Sequence, residues 1–427
     1  MKRFSYLSWV LLGTLALGLG LGACANAEGT PEASESTELD LSINPSLEWY
    51  GNTRQYLDQF IKEYRVGGEK YDPEGYVVFD WDNTVIYNDI ENCFVAYMAL
   101  TGHVKRPAGN DWKLMSAYVS PDLEAALDSR CGGTEDTLPT DDACIDTVFR
   151  AYYDGEVLKD DETLADAFTV GNSKVLQPAY LWGGQVGHGW SHPQLLAFSK
   201  ATADWCLALG LEEEVPVGFD TYHLAIRFYE EIFDLMVSLE EAGITQIIST
   251  ASPEYLVEAA AKKLPITPAA VLGVKLEQEN GVYTGRTVAM GDYASNQMIN
   301  YQLGKVIEAL EYFEGVDTTG MTDEEIINGT HILLGLGDSD TDVQFLKAAS
   351  AGAHAWNRQK TGLMCPMYHW MENGDPDRPG KFHAISPLPI NPKDQKEGGY
   401  TCNVEDLPAG LGITSIDANI VDSVYWP

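Results

Sequence analysis

The chain has 427 residues, 45% of them hydrophobic, and carries 64 acidic against 27 basic side chains for a formal net charge of −37. A surface of that sign repels nucleic acid and anionic membrane, which argues against polyanion binding through a basic face. The length leaves room for two domains or for one with a large insertion, and the charge sets a condition on any anionic substrate: its site must supply positive charge locally.

Lys2 and Arg3 stand before an apolar stretch that starts near Leu7 and ends in Leu21-Gly22-Ala23-Cys24. A basic start, an apolar middle and small residues before a cut describe a secretory signal. The last four residues also resemble a bacterial lipobox. That resemblance implies removal of residues 1–23, lipid on Cys24 and a mature chain anchored to a membrane of the bacterial cell envelope. A plain signal with an incidental cysteine, or an uncleaved anchor, is the alternative. Residues 24–42 are small, acidic and rich in Pro, Ser and Glu, a linker composition.

A helix is expected from about Pro45 to Tyr64, then a buried strand in "YVVFDWD" (76–82). From Asp89 to Glu240 the chain shows helical stretches, polar loops and many aromatics but few strand-like runs. Regular alternation then resumes. "RFYEEIFDLMVSLEEAG" (227–243) reads as an amphipathic helix stopped by Gly243, and "ITQIIST" (244–250) as a short buried strand. "SPEYLVEAAAKKL" (252–264) reads as a helix with a Ser start and an early Pro. Asn280-Gly281 between alternating runs signals a hairpin. "NYQLGKVIEALEYF" (300–313) is helical, "THILLGLGDSD" (330–340) is a second buried strand breaking into a turn, and "TDVQFLKAA" (341–349) is a helix. Buried strands alternating with helices predict an α/β fold, a parallel sheet with helices on both faces. The tail from Thr361 is rich in Pro and Gly and expected to be mostly loop.

Beyond Cys24 there are six cysteines, at 93, 131, 144, 206, 365 and 402. An even number in an exported chain points to disulfides, and six allow fifteen pairings. Cys131 and Cys144 bracket a polar loop that a bridge would staple; Cys365 and Cys402 share the tail. No tight Cys-x-x-Cys spacing favours zinc.

Catalytic groups of open parallel sheets gather beyond the carboxyl ends of the strands. Three strand ends here are polar: Asp80 and Asp82; Ser249 and Thr250; and Asp338, Ser339 and Asp340 with Asp342. Lys305 starts a helix between the last two. Carboxylates from two ends suit a hard cation such as magnesium. A hydroxyl and an ammonium suit phosphate oxygens, and a carboxylate beside them can attack phosphorus.

"DWDNT" resembles the first motif of the haloacid dehalogenase-like (HAD) phosphatases, "IIST" their second, Gly304-Lys305 their third and "GDSDTD" their fourth, in the order of the phosphoserine phosphatase-like branch. The resemblance covers about 71–89 and 241–360. It implies a Rossmann-like core from 43–88 and 241–360, a mainly helical cap inserted at 89–240, and a C-terminal extension at 361–427. It implies a Mg2+-dependent phosphomonoester hydrolase with an aspartyl-phosphate intermediate. Asp80 would be the nucleophile and Asp82 the general acid, with Thr84 supporting the loop. Thr250, with Ser249 as its rival, would bind the phosphoryl group, and Lys305 would offset charge. Magnesium would be held by Asp80, Asp338 and the backbone carbonyl of Asp82, with Asp342 a ligand or one step behind. Asn83 stands where Gly is often found. The alternatives are a surface lipoprotein that binds a ligand or partner on a non-catalytic fold of this type, and a phosphotransferase.

Asp89 falls where phosphoserine phosphatases contact the substrate amine, and it equally suits a helix N-cap. The cap aromatics Tyr152, Tyr153, Tyr180, Trp182, Trp190 and Trp205 are either cap core or a cation–π cage. "YLWGGQVGHGWSHPQL" (180–195) loosely resembles a cap stretch of exported phosphorylcholine phosphatases. A small amine-bearing phosphomonoester is therefore the expected substrate. His188 and His192 are weaker candidates for substrate or metal.

Overall fold

The computed structural model describes residues 42–293, 298–373, 380–390, 400–403, 407, 411, 413, 419–420 and 422–425. The signal segment, Cys24 and the linker up to residue 41 lie outside the described residues.

Helix α1 (Thr53–Tyr64) buries Tyr56, Leu57, Phe60 and Ile61 along one stripe. It starts eight residues later than the apolar pattern predicts. Asn44 closes a turn onto Ser46, through its side chain, and Leu47, and Gly51 takes a φ of 58°, a left-handed conformation that breaks the helix before Thr53.

Strand β1 (Tyr76–Phe79) is buried throughout. Its side chains alternate between two apolar layers: Val77 and Phe79 join the cluster that holds α1, and Tyr76 and Val78 the cluster on the opposite face. That two-sided burial explains an apolar run without polar alternation.

The long segment that follows carries α2 (Ile90–Leu100), α3 (Pro121–Arg130), α4 (Asp142–Tyr153), α5 (Pro178–Gln185) and α6 (His192–Ala208), with small two-stranded ladders between them. Two disulfides lie in it: Cys131–Cys144 ties the end of α3 to the start of α4, and Cys93–Cys206 joins α2 to α6. The third, Cys365–Cys402, is in the tail.

Helix α7 (Glu230–Glu241) leads to β2 (Thr245–Pro253), α8 (Glu254–Ala261) and β3 (Ala270–Val274). Two helix starts differ from expectation. Arg227–Phe228 pair with Ile86–Tyr87 as a short ladder, and Ser252-Pro253 extend β2 instead of opening α8. The hairpin forms as expected, with Asn280 and Gly281 at φ 52° and 79°, the left-handed pair that a tight turn between twisted strands requires.

Helix α9 (Leu303–Glu308) runs into a π-helical turn, Ala309–Glu314. Then come α10 (Asp323–Asn328), β4 (Ile332–Gly337), α11 (Val343–Ala348), β5 (Gly352–Trp356), α12 (Thr361–Asn373), β6 (Phe382–Ser386) and β7 (Ser423–Tyr425). Among its described residues the tail supplies a helix and two strands of the central sheet, which the Pro- and Gly-rich composition did not announce. The polar residues His383 and Ser386 disguise β6, all five residues of which are buried.

The sheet has seven strands in the order β7-β6-β5-β4-β1-β2-β3, all parallel except the edge strand β7. From β1 the chain winds outward to β2 and β3, then returns to β4 on the other side of β1. Connections therefore diverge between β1 and β4, which opens a crevice at their carboxyl ends.

Candidate active site

Asp80 is the first residue past β1, and its amide donates to the Leu336 carbonyl of β4 at 2.9 Å. The carbonyl of Trp81 accepts from the amides of Thr84, Val85 and Ile86 at 2.9–3.3 Å, closing a tight turn. Asn83 stands in that turn at φ 58°, a left-handed position that Asn tolerates better than most residues, which accounts for an Asn where Gly is common. Thr84 supports the turn through its backbone: its carbonyl accepts from Trp356 Nε1 at 3.2 Å.

The turn brings Asp82 back over the sheet edge. Its Oδ1 accepts from the Ile90 amide at 2.7 Å, and its Oδ2 from Ser252 Oγ at 2.7 Å and, more loosely, from Thr250 Oγ1 at 3.4 Å. Asp338 is the first residue past β4. Asp342 Oδ2 accepts from the amides of Asp338 and Ser339 at 2.9 and 3.1 Å, folding the loop over itself. Gly337 is required here, because a Cβ on it would lie 2.6 Å from the Asp342 Cβ.

Lys305, fully enclosed, donates from Nζ to Asp80 Oδ1 and Asp342 Oδ1, each at 2.6 Å. Arg358, two residues past β5, donates from Nη1 to Asp338 Oδ2 at 2.5 Å. Carboxylate oxygens of Asp80, Asp338 and Asp342 lie within 4.8 Å of one another. This all-oxygen set fits a hard divalent cation. Both Asp342 oxygens already accept two hydrogen bonds or ion contacts each, so Asp80 and Asp338 are the carboxylates best placed to ligate directly.

A cavity of about 110 Å³ opens on this cluster. It is lined by Asp80, Asp82, Asn83, Asp338, Ser339, Asp340 and Thr341 from the β1 and β4 ends, and by Ala251 and Ser252 from β2. Asp89, Glu91 and Tyr180 close it from the helical segment, and Arg358 and Lys360 from the β5 end. Burial pushes the Asp80 carboxyl well above its ordinary range, Asp342 adds to the shift and Lys305 opposes it. Burial also raises Asp82, with Asp89 next, against the Ile90 amide and Ser252 hydroxyl. Glu91 is raised by burial and then by Asp89.

Asp80, Asp82, Asp338, Asp342, Lys305 and Thr250 are therefore brought together in the fold. Ser249 does not: successive strand residues face opposite ways, and its hydroxyl takes a hydrogen bond from Asn300 Nδ2 at 3.1 Å, away from the cavity. Asp89 caps α2, accepting from the Glu91 and Asn92 amides at 2.8 and 3.3 Å, and lines the cavity as well.

Of the six aromatics, Tyr180 alone lines the cavity, which removes the multi-ring cage. Trp182 donates to the Val148 carbonyl and Trp190 to that of His103. Tyr152 and Tyr153 pack on Phe149, and Trp205 on Tyr97. These rings are absorbed by packing within the segment. His192 pairs with Tyr283 Oη at 2.8 Å and His188 is set among other residues; neither reaches the cavity.

Sequence reasoning missed Ser252, Glu91, Arg358 and Asn300. Asn300 Nδ2 also holds the Thr250 and Leu272 carbonyls at 2.9 Å, bracing the end of β2. Arg358 was legible by the strand-end rule, had Gly352–Trp356 been recognised as a strand. Ser252 carried the opposite signal, that of a helix cap.

No family model matches this chain, and no curated protein matches it. Among solved structures, a conserved protein of unknown function from Anaerococcus prevotii DSM 20548 aligns at a TM-score of 0.54 and 17% identity, over 78% of this chain and 92% of that one. A HAD family hydrolase from Salmonella enterica serovar Typhi aligns at 0.32 and 12% identity, over 66% and 62% of the two chains. A phosphoserine phosphohydrolase-like protein from Francisella tularensis aligns at 0.31 and 12%, over 67% and 88%. The first of these likenesses is one of fold alone.

Proposed function

We propose that this chain is a phosphomonoester hydrolase of the haloacid dehalogenase type, with Asp80 as nucleophile and Asp82 as general acid and base. The observation that carries the reading is the difference between these two carboxylates in one cavity. Burial raises both carboxyls, but Asp80 has an ammonium at 2.6 Å that works toward its charged form. Among the described residues, the hydrogen bonds to Asp82 come from neutral donors alone, and it sits beside Asp89. That environment favours a proton on Asp82, as an acid for a leaving alcohol requires.

In this reading an Asp80 oxygen attacks phosphorus, the bond from phosphorus to the leaving oxygen breaks, and Asp82 gives that oxygen its proton. Asp82 then takes a proton from water, whose oxygen attacks the aspartyl phosphate and releases phosphate and free Asp80. Asp80, Asp338 and the Asp82 carbonyl would hold magnesium, which when bound supplies charge neutralisation for the carboxylates and phosphoryl oxygens. The small cavity supports a small substrate, and Asp89, Glu91 and Tyr180 around it support an ammonium on the leaving group. Three disulfides support an oxidising compartment, in keeping with a lipoprotein of the bacterial cell envelope anchored through Cys24. No described helix is long and apolar enough to cross a membrane.

The test is phosphate release from a panel holding an aryl phosphate, phosphorylcholine, phosphoserine and an uncharged alkyl phosphate, with and without EDTA. Release that stops on chelation and returns with magnesium is expected, fastest for the amino esters. Silence across the panel rejects the hydrolase, and full turnover after exhaustive chelation rejects the metal.

A further inference from the structure

An anion entering the cavity meets a concentration of carboxyl groups, since Asp80, Asp82, Asp89, Glu91, Asp338 and Asp340 all line it. Lys305, the cation that the motifs offer to the phosphoryl group, is not among the lining residues. Its side chain has no exposed surface, and its ammonium is held between Asp80 and Asp342 at 2.6 Å each. Two of its three donors are engaged. The remaining donor is enclosed with the rest of the side chain.

Two cations do line the cavity, Arg358 and Lys360. Lys360 is exposed, so solvent screens it. Arg358 is partly buried and enters from the end of β5, the same layer that delivers Asp80 from β1 and Asp338 from β4. Among the described residues its guanidinium makes one hydrogen bond, from Nη1 to Asp338 Oδ2. A guanidinium carries five N–H donors in a planar fork that matches two phosphoryl oxygens at once.

We infer that Arg358 is a side chain, additional to Lys305, that binds the non-bridging oxygens of the substrate phosphoryl group. Lys305 fixes Asp80 and Asp342 relative to each other through two of its donors. The assignment rests on the phosphomonoester reading for its substrate but on the cavity for its geometry. It also answers part of the condition set by the net charge: a positive group facing the anion comes from β5, outside the four motifs.

The test uses the full mature chain, with inorganic phosphate as the probe and titration calorimetry as the readout, beside steady-state kinetics. Arg358→Met keeps much of the side chain's apolar bulk, and Arg358→Lys keeps a charge toward Asp338. Methionine is expected to weaken phosphate binding about tenfold or more and lysine about threefold or more, the loss of charge-assisted and bidentate bonds. The lysine variant decides alone if the methionine variant does not fold. Phosphate affinity within about twofold of wild type in a folded variant overturns the inference. So does a loss that follows Lys360→Met and spares Arg358→Met. Wild-type protein that binds phosphate through Arg358 but hydrolyses no phosphomonoester leaves the inference standing and removes the hydrolase. Hydrolysis that persists, with unchanged phosphate affinity, in Arg358→Met does the reverse.

Discussion

One residue separates Asp80 from Asp82, yet their surroundings differ in kind. Asp80 faces the Lys305 ammonium, while Asp82 accepts from an amide and two hydroxyls. Asparagine preserves the shape of each and removes one function. Asp80→Asn is expected to lower turnover by on the order of 10⁴-fold or more, as removal of a nucleophile does, with circular dichroism unchanged. Asp82→Asn should still form phosphoenzyme from an aryl phosphate, whose leaving group needs little protonation, and should fail with an alkyl phosphate. A rate for Asp80→Asn within about tenfold of wild type, about 1.4 kcal/mol of barrier, would place the nucleophile elsewhere. At this scale the carboxylates were readable only together: an acidic residue after an apolar strand commonly serves a turn, but three polar strand ends and four motifs in order pointed to one site. The choice between Ser249 and Thr250 was not readable, since it depends on which face of β2 meets Asp82. Ser252 was hidden for a related reason: its hydroxyl fits a helix cap as well as a carboxylate partner, and only the three-dimensional approach of β2 to the β1 turn decides.

Among the elements, β1, β2 and β4 were legible as apolar runs, and β5 and β6 were not, though both are buried throughout. β5 and β6 show why. His354 of β5 is fully buried, its Nε2 within 3.0 Å of Ser386 Oγ on β6, and it is packed edge-on against Trp49 and Trp356. A histidine and a serine break the apolar signal of two strands that nonetheless sit inside the sheet. Burial lowers the imidazole from its ordinary 6.5 to about 3. The unfolded chain takes up a proton there near pH 6.5 and the folded chain does not, so acid favours unfolding across that interval. At pH 5 the cost is about 2 kcal/mol, reckoned at 1.36 kcal/mol per pH unit once the unfolded group is fully protonated. His354→Gln keeps a polar group for Ser386 and cannot titrate. Urea unfolding at pH 7.5 and pH 5 should therefore show wild type losing about 2 kcal/mol more than the variant over that step. Equal losses would mean that His354 is protonated in the fold.

For the whole molecule, cross-links and charge act against each other. A net charge of −37 repels itself most when the chain is compact, and the three disulfides limit how far the chain can expand. Cys131–Cys144 and Cys365–Cys402 pair as their places in the sequence suggest, but Cys93 and Cys206 are far apart in sequence and meet only after α2 packs beside α6. The bridges should differ in worth. Cys93–Cys206 closes a separation of 113 residues, and Cys131–Cys144 one of 13. In the chain-entropy account the larger loop restricts the unfolded state by about 4.8 kcal/mol and the smaller by about 2.9 kcal/mol. The long bridge also staples most of the segment that carries Asp89, Glu91 and Tyr180 over the cavity. Replacing both members of each pair by alanine should therefore lower stability by about 2 kcal/mol more for Cys93–Cys206 than for Cys131–Cys144. Denaturant midpoints measured on both double variants in one buffer check this, since salt changes the repulsion. If the short bridge proved the costlier loss, local ordering of the loop between α3 and α4, and not expansion of the unfolded chain, would be what the disulfides restrain.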